Sequence, residues 1–443
     1  MKRVSRRDFL KLVGAGALGL IARPRLAGAL DKLDKGILDS SFASDVVQCY
    51  DANATNGSSI NQPIVQVMMD ESIKALTGLT EVGESWKSVF AGISETSIIG
   101  IKVNCINSSL PTHPAVATAI VNGLALMDFG GNLFPKNNVI IWDRSNSELT
   151  SSGYTLYTGS DPATVRCFGT NQSGVGYDSG VTFNVYGSTQ NPSKILSQLC
   201  DYIIDAAVLK SHSQGVVTLS MKNHYGSVNS PGSLQHSSGC SSAVPSLNQQ
   251  IRDVITPNNI QKLFIIDGLF GLYSGGPGGS PNFNPKYIIM SRDPVACDKQ
   301  GQNVINTERA LHSLSPLNAA QITNAAAEPY NLGSLDINLI ELNTTTGVEQ
   351  PGPGAVADGI VHVSPDPFRD RAEITLSLSH PSQVSIDLVN SAGRTEAGIY
   401  HGRLSRGRHQ LTLAPSRRLS GGNYFIRFQG PAGTRVRRVT VAN

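Results

Sequence analysis

Short apolar runs alternate with segments of helical periodicity over most of the chain, and this alternation restricts the fold more than any other feature. The runs predict buried strands at TSIIGIKVN (96–104), NNVIIWD (137–143), DYIIDAAVL (201–209), KLFIID (262–267) and KYIIMS (286–291). Helices are predicted at 113–128, 194–200, 242–255 and 293–311, with further helical segments at 63–78 and 317–327. Continuous apolar strands separated by helices are typical of a mainly parallel sheet that helices cover on both faces. We therefore predict a Rossmann-like, three-layer α/β fold.

The chain is long enough for more than one domain, and its composition changes towards the C-terminal end. At 443 residues it exceeds one ordinary domain. Residues 30–346 carry an excess of acidic side chains, whereas residues 359–443 carry 12 arginines, 5 acidic residues and no lysine. The Pro/Gly-rich stretch 347–358 predicts a linker. We expect an α/β domain at 30–346, with its core at 95–311 and an insertion at about 145–190, and then an all-β sandwich at 359–443.

The N-terminal residues have the pattern of an export signal. SRRDFLK at 5–11 precedes the apolar run LVGAGALGLIA, and AGA at 27–29 resembles a cleavage site. The adjacent Arg6 and Arg7 match the twin-arginine motif. We expect residues 1–29 to be a signal peptide that the twin-arginine translocase recognises, and this route carries folded cargo. The mature protein would be periplasmic, or surface-bound or secreted if the C-terminal domain acts as a sorting signal.

Polar residues follow the predicted strands at the points where the strands end. They are Lys102 and Asn104 after the first strand, Asp143 at the second, Lys210 and His212 after the third, Asp267 at the fourth, and Ser291 and Asp293 after the fifth. The carboxyl ends of strands line the ligand crevice in open parallel sheets. We therefore expect these side chains to converge on one edge of the sheet.

The residue types at that edge suit a small anionic ligand. Lysines, a histidine and a nearby helix N-terminus are the groups that bind phosphate or carboxylate. The glycine-rich stretch 268–281 matches neither the P-loop nor G-x-G-x-x-G, so no nucleotide is predicted. His212 and Asp267 are the candidates for proton transfer. The candidate ligand-binding residues are Lys102, Asn104, Lys210, Lys222, Asn223, Gly226, Gly268, Asp293 and Asp298.

Ordinary structural roles remain open for several of these residues. Lysines after strands are often solvated, and Asp267-Gly268 is a common turn sequence. Asp293 before Pro294 fits a helix N-cap. Asp298 lies in the first turns of the same helix, where it could pair with a lysine of the site.

The cysteines and histidines leave the cofactor unassigned. The six cysteines contain no C-x-x-C pair, so neither a zinc ribbon nor a ferredoxin-type cluster is indicated. His224, His236 and Cys240 could bind a metal together with His212 or Asp267, but they lack ligand-dense spacing. Disulfides also remain open in an exported protein.

Four stretches resemble the bacterial and archaeal family called domain of unknown function 362. They are IGIKVN with THPAV, DAAVLKSHSQGVVTLSMKNHYG, FIIDGLFGLYSGGP and SRDPVACDKQG, in the family's order over about residues 95–305. The resemblance places family motif positions at Lys102, Asn104, Lys210, His212, Lys222, Asn223, Gly226, Asp267, Gly268, Asp293, Pro294 and Asp298. Family members often carry ferredoxin-type clusters or twin-arginine signals, which implies a redox link. The family name assigns no activity.

The C-terminal segment resembles the Ig-like sorting or FlgD-type modules of secreted bacterial proteins. Its landmarks are Pro365-x-Pro367-Phe368, Gly393-Arg394, Gly407-Arg408-His409 and Gly421-Gly422-Asn423-Tyr424-Phe425. The resemblance implies a sorting or anchoring role, and the arginines would then meet an anionic envelope surface. A solvated basic face is the more ordinary interpretation.

Two functions remain in competition. The first is an exported, redox-linked enzyme that binds an anionic substrate or cofactor at the carboxyl ends of the strands. The alternative is a non-catalytic envelope protein that binds an anion or a metal and is tethered by its C-terminal domain. A small anionic ligand is the expected partner in both, and no nucleic acid is expected.

Overall fold

The structure is a computed structural model that describes residues 43–255, 259–345, 359–365, 368–378, 381–390, 394–405, 407–415, 417, 419–430 and 433–442. The signal peptide expected at 1–29 and the linker expected at 347–358 lie outside these residues. Within them, no helix has both the length and the apolar character that a membrane crossing needs.

The described residues form eight α-helices and twenty strands, numbered here in chain order. The helices are α1 Gln62–Thr77, α2 Val82–Val89, α3 Pro114–Leu124, α4 Asn146–Ser151, α5 Ser220–Asn223, α6 Ala243–Val254, α7 Pro294–Leu311 and α8 Ala320–Ala326. The strands of the first part are β1 Ser44–Tyr50, β2 Thr55–Asn56, β3 Ser59–Ile60, β4 Ile99–Val103, β5 Val139–Trp142, β6 Arg166–Cys167, β7 Phe183–Val185, β8 Ser188–Gln190, β9 Tyr202–His212, β10 Val216–Thr218, β11 Gln261–Leu272, β12 Tyr287–Ser291 and β13 Ile337–Asn343. The later strands are β14 Gly359–Ser364, β15 Ala372–Leu378, β16 Ser382–Asn390, β17 Thr395–Leu404, β18 Gly407–Leu413, β19 Gly422–Gly430 and β20 Gly433–Val441.

Nine of the described strands form one mostly parallel sheet. Its order is β13–β1–β12–β11–β9–β4–β5–β6, with β10 paired to β9. The neighbours β11, β9, β4, β5 and β6 all pair in parallel. Strand β12 runs against both β11 and β1. The predicted α/β fold with a mainly parallel sheet is therefore confirmed.

Helices cover both faces of this sheet, and each face has its own apolar cluster. The first cluster joins the sheet to α1, α2 and α3, for example through Met68, Trp86 and Ile120. The second joins the sheet to α6, α7 and α8, for example through Leu247 and Ile305. Because side chains alternate along a strand, β1, β5, β9, β11 and β12 each contribute to both clusters.

The predicted strands all form, and two of them are longer than expected. Strand β9 continues through Lys210 to His212, and β11 continues from Asp267 to Leu272. The predicted helix at 194–200 is instead one π-helical turn, Ile195–Leu199. The Gly/Ser-rich stretch 145–190 contains α4 and the short strands β6 to β8.

Two antiparallel sheets follow after residue 358. Their orders are β14–β15–β18 and β17–β16–β19–β20. Both sheets contribute to one apolar cluster, which includes Ile374 and Leu376 from the first sheet and Ile386, Ile426 and Phe428 from the second. The residues described in this part therefore form a β structure with its own core.

The direction of β12 determines the position of Asp293. Because β12 is antiparallel to β11, Asp293 lies at the opposite edge of the sheet from the ends of β4 and β9. Asp293 Oδ1 accepts from the backbone N–H groups of Val295 and Ala296 at the start of α7, at 2.8 and 2.9 Å. Its Oδ2 accepts from Ser44 Oγ and Ser334 N, both at 2.7 Å. The expectation that Asp293 joins the ligand crevice is therefore wrong, and the residue is a helix cap that also holds β1.

We predict that Asp293→Ala lowers the free energy of unfolding by about 2–4 kcal/mol, because it removes a helix cap and leaves buried donors without acceptors. The two tryptophans, Trp86 and Trp142, are both buried in the α/β part, so their fluorescence during urea unfolding reports on this part. Asp293→Asn keeps one acceptor oxygen and should lose less. Equal stability of Asp293→Ala and the parent chain would contradict the assignment.

Candidate functional site

The end of β4 carries a buried lysine that is fully paired. Lys102 Nζ donates to Asp143 Oδ1 at 2.8 Å, to the Val103 carbonyl at 2.7 Å and to Asn223 Oδ1 at 3.2 Å. Asp143 directly follows β5, and its Oδ2 accepts from Cys105 N at 2.7 Å. A buried ion pair is tolerated only when its remaining donors and acceptors are also satisfied. All three N–H groups of the Lys102 ammonium have acceptors, so Lys102 is a structural cation.

A chain of side-chain amides extends from this ion pair to a second lysine. Asn223 Oδ1, which Lys102 contacts, also accepts from Asn104 Nδ2 at 3.1 Å. Asn104 Oδ1 accepts in turn from Lys210 Nζ at 2.9 Å. Asn223 Nδ2 donates to both carboxylate oxygens of Asp205 at 3.1–3.2 Å. Asp205 lies on β9 and is completely buried. This network fixes the position of the Lys210 amine relative to β4 and α5.

Lys210 and Lys222 differ from Lys102 because neither has an anionic partner. No carboxylate of the described residues lies within 4.0 Å of either ammonium. Lys210 is fully buried, and among the residues that the structure describes its side chain bonds only to Asn104. Lys222 makes no hydrogen bond within the described residues, and its Nζ lies 4.3 Å from the centre of the Tyr225 ring. Two buried cations therefore keep unused N–H donors.

Both lysines face one pocket at the carboxyl ends of β4, β5 and β9. Its volume is about 410 Å³, a size typical of small-molecule sites. Seven of the residues predicted from the sequence line it, namely Lys102, Asn104, Lys210, His212, Lys222, Asn223 and Gly226. The other lining residues are Ile106, Asp143, Arg144, Ser213, Gln214, Thr218, Tyr225, Pro231, Gly232, His236 and Pro277.

Two glycines leave room for the side chains of Lys102 and Lys222. A Cβ at Gly226 would lie 2.9 Å from Asp143 Oδ1 and 3.1 Å from Lys102 Nζ, so any side chain there would disturb the ion pair. A Cβ at Gly215 would lie 2.6 Å from Lys222 Cε. Gly215, the third residue after His212, and Gly226 of the NHYG sequence therefore have a steric role at the pocket.

The two pocket histidines have different tautomers. His212 Nδ1 accepts from the backbone N–H groups of Gln214 and Gly215 at 3.1 and 2.8 Å, so the neutral ring carries its proton on Nε2. His236 Nδ1 lies 2.8 Å from the Leu234 carbonyl and must donate to it, so in the neutral ring Nε2 is the acceptor. The pocket thus holds one imidazole that donates from Nε2 and one that accepts there.

Burial shifts the pKa values of the basic groups in the pocket. It lowers the pKa of Lys210 to about 8; Asp143 opposes this shift and the nearby Lys222 adds to it. It lowers the pKa of His212 to about 4, with further contributions from Lys222, His236 and Lys210. Burial also lowers the pKa of Lys222. At neutral pH the His212 ring is therefore neutral, and Lys210 is close to its titration range.

Asp267 and Gly268 do not reach this pocket. Asp267 lies two residues from both Ile265 and Leu269, so it shares their face of the sheet, which packs in the cluster under α1 to α3. Lys102 lies between Ile101 and Val103 of the same cluster, so its side chain is on the other face. Its Oδ2 accepts from His113 N at 2.8 Å and lies 2.7 Å from His113 Nδ1. The prediction that Asp267 joins His212 in proton transfer at the pocket is therefore wrong. Gly268 is an interior residue of β11.

Asp298 also lies outside the pocket, but it supports one of the pocket's walls. Its carboxylate accepts from Ser220 N at 2.7 Å, from Ser220 Oγ at 2.6 Å and from Met221 N at 3.1 Å. These groups form the start of α5, which carries Lys222 and Asn223. Burial raises the pKa of Asp298 to about 7, although these hydrogen bonds lower it. Asp298 therefore positions pocket residues without touching a ligand there.

The sequence prediction did not include several residues that the structure places at or beneath the pocket. Arg144 and Tyr225 line it, and His236 had been considered only as a metal ligand. Asp205 and His224 form a buried pair below it, with His224 Nε2 3.2 Å from Asp205 Oδ2 but without hydrogen-bond alignment. Burial raises the pKa of Asp205 and lowers that of His224 to about 3, which favours the neutral forms of both. The carboxylate inside the apolar run IIDAAVL was the available signal for Asp205.

The described residues contain no group of three or more His, Cys, Asp and Glu side chains that could hold a metal ion. The six cysteines are all buried and unpaired within this part of the chain. The metal site that His224, His236 and Cys240 could have formed with His212 or Asp267 is therefore not supported within the described residues.

Several solved structures have weak similarity to the chain. CopC from Methylosinus trichosporium OB3b is 21% identical over 19% of this chain and 93% of CopC, with a TM-score of 0.15. A protein from Thermotoga maritima is 9% identical over 58% of this chain and 60% of that protein, with a TM-score of 0.34. An endo-beta-1,4-mannanase double mutant from Cellulomonas fimi is 9% identical over 90% of this chain and 94% of the mannanase, with a TM-score of 0.17. At these TM-scores none of them assigns a fold or a function.

No curated protein has significant similarity to the chain. Residues 99–303 match the sequence profile of the family described as "Domain of unknown function (DUF362)". This segment contains all the lysines and asparagines that line the pocket. The match supports the DUF362 family for this segment.

Proposed function

We propose that the protein is exported and that its pocket binds a small organic anion, a carboxylate or a phosphate compound, between Lys210 and Lys222. One observation carries this proposal: two buried lysines without carboxylate partners face the same pocket. Burying an ammonium without a partner costs free energy, which an anion in the pocket would offset. The neutral His212, which donates from Nε2, adds a further hydrogen-bond donor for the anion.

The same pocket serves both functions considered from the sequence. For an enzyme, the neutral His212 would supply a hydrogen-bond donor and His236 a proton acceptor beside the bound anion, and this favours an enzyme over a non-catalytic binding protein. The redox link rests on the family resemblance alone. Turnover of a bound acid by the purified protein would separate the two functions.

Replacing either unpaired lysine should weaken anion binding. We expect Lys222→Gln and Lys210→Gln each to reduce the affinity for inorganic phosphate or malonate by about tenfold, which corresponds to about 1.4 kcal/mol. Isothermal titration calorimetry measures this effect. Lys74→Gln is the matched control, because Lys74 pairs with Glu71 on α1, away from the pocket. Unchanged affinity in both pocket variants would remove the basis of the proposal.

Anion binding should weaken as the pH rises through about 8. The protonated Lys210 attracts the anion, and its pKa of about 8 means that this charge is lost above that pH. A bound anion favours the ammonium, so the midpoint should lie at or above this value. Affinities measured between about pH 7 and about pH 9 should fall in the parent chain, and they should fall less in Lys210→Gln. Identical pH profiles for the two proteins would count against Lys210 as the titrating group.

Export is a separate part of the proposal, and it rests on Arg6 and Arg7. The double variant Arg6→Lys/Arg7→Lys keeps the charge but removes the motif that the translocase recognises. We expect it to accumulate in the cytoplasm, and cell fractionation with immunoblotting measures this. Replacing Arg23 and Arg25 by lysine is the control, and equal export of all three proteins would contradict the proposed route.

For the C-terminal segment we propose an Ig-like sorting or anchoring module. The two antiparallel sheets around one apolar cluster support a sandwich of this kind. The residues of this segment would then attach the anion-binding part to the cell envelope.

A further inference from the structure

We propose that Lys210 forms an imine with the carbonyl carbon of an anionic oxo compound, such as a 2-oxo acid, whose acid group is held by Lys222. This inference rests on the proposed anion-binding function and names the ligand class of the same pocket. It follows from the different surroundings of the three lysines.

Lys210 and Lys102 differ in how many of their N–H donors are used in hydrogen bonds. All three donors of Lys102 are used by Asp143, the Val103 carbonyl and Asn223, so its nitrogen has no direction left for a ligand. Within the described part of the chain, Lys210 Nζ donates only to Asn104 Oδ1, and the amide network holds that oxygen in place. An amine fixed by one hydrogen bond, with its remaining directions towards a pocket, has the geometry of a nucleophile.

Lys222 has an aromatic contact that Lys210 lacks among the described residues. The Lys222 ammonium lies over the Tyr225 ring, which stabilises a cation, so Lys222 suits the charged role of holding an acid group. No comparable ring contact occurs at Lys210 among the described residues. A second cation near a buried lysine favours the neutral, nucleophilic amine, and burial acts in the same direction. The two lysines therefore have complementary roles.

The chemical step balances without a cofactor. The neutral Lys210 amine attacks the carbonyl carbon, a C–N bond forms, and the carbonyl π electrons move to oxygen. That oxygen then leaves as water together with the two hydrogens of the amine, and the C=N bond remains. The Nε2–H of His212 is available as a donor to the carbonyl oxygen, and Nε2 of His236 is available to accept a proton.

Borohydride reduction tests the inference on the purified full chain. Pyruvate is the probe at about pH 8, where the neutral amine is present, and sodium borohydride converts an imine to a stable secondary amine. We expect one reduced pyruvate per chain in the intact mass, and peptide mapping should place it on Lys210. Lys210→Arg keeps a cation and should lose the adduct. Lys222→Gln should need about tenfold more pyruvate for half-maximal labelling, whereas Lys74→Gln should label like the parent chain.

Two further measurements keep the test independent of how the variants fold. Propionate carries the carboxylate but no keto group, so in the parent chain it should protect Lys210 from labelling. Acetone carries the carbonyl but no acid, and it should label far less than pyruvate. Tryptophan fluorescence shows whether each variant retains the fold around Trp86 and Trp142.

The outcomes separate this inference from the function it rests on. Pyruvate binding detected by calorimetry without any adduct at Lys210 would overturn the imine and leave anion binding intact. Absence of both binding and adduct would overturn both proposals. Labelling spread evenly over exposed lysines would also overturn the imine, because it would show no selectivity for the pocket.

Discussion

The buried ion pair between Lys102 and Asp143 is the interaction on which the pocket depends. It joins the ends of the neighbouring strands β4 and β5, and through Asn223 it also holds α5. A lysine buried here without these acceptors would cost several kcal/mol. Asp143 is occupied by Lys102 and by backbone N–H groups, and within the described residues it forms no direct ion pair with the other two lysines. The positive character of the pocket follows from this unequal distribution of partners.

The edge of the sheet thus combines two kinds of polar residue. One kind is satisfied internally and gives rigidity: the ion pair, the amides Asn104 and Asn223, and the cap that Asp298 provides. The other kind, Lys210 and Lys222, retains unused donors. Rigid support beneath unsatisfied groups is what a preorganised binding site requires, since the ligand then meets donors that are already in position.

Much of the fold followed from local sequence patterns, because apolar runs and helical periodicity depend on neighbouring residues. The strand-end positions of Lys102 and Lys210 were predictable for the same reason. The direction of β12 was not, since KYIIMS has the same apolar pattern in either direction, and this placed Asp293 at the wrong edge. The face to which Asp267 points could not be predicted either, because alternation gives relative faces along one strand but not which helices cover them. Tyr225 follows Lys222 by three residues, a spacing at which helical side chains are neighbours, so its contact with Lys222 did have a signal in the sequence.

The short helix α5 makes the position of Lys222 depend on the rest of the fold. It contains only four residues, too few for a helix that is stable by itself, and Asp298 and Asn248 hold it through tertiary contacts. Lys222 is therefore brought towards Lys210 only when the whole fold has formed, against the mutual repulsion of two ammonium groups. On the proposed function, an anion that relieves this repulsion would bind the folded chain alone, and thermal resistance would then rise with occupancy by mass action.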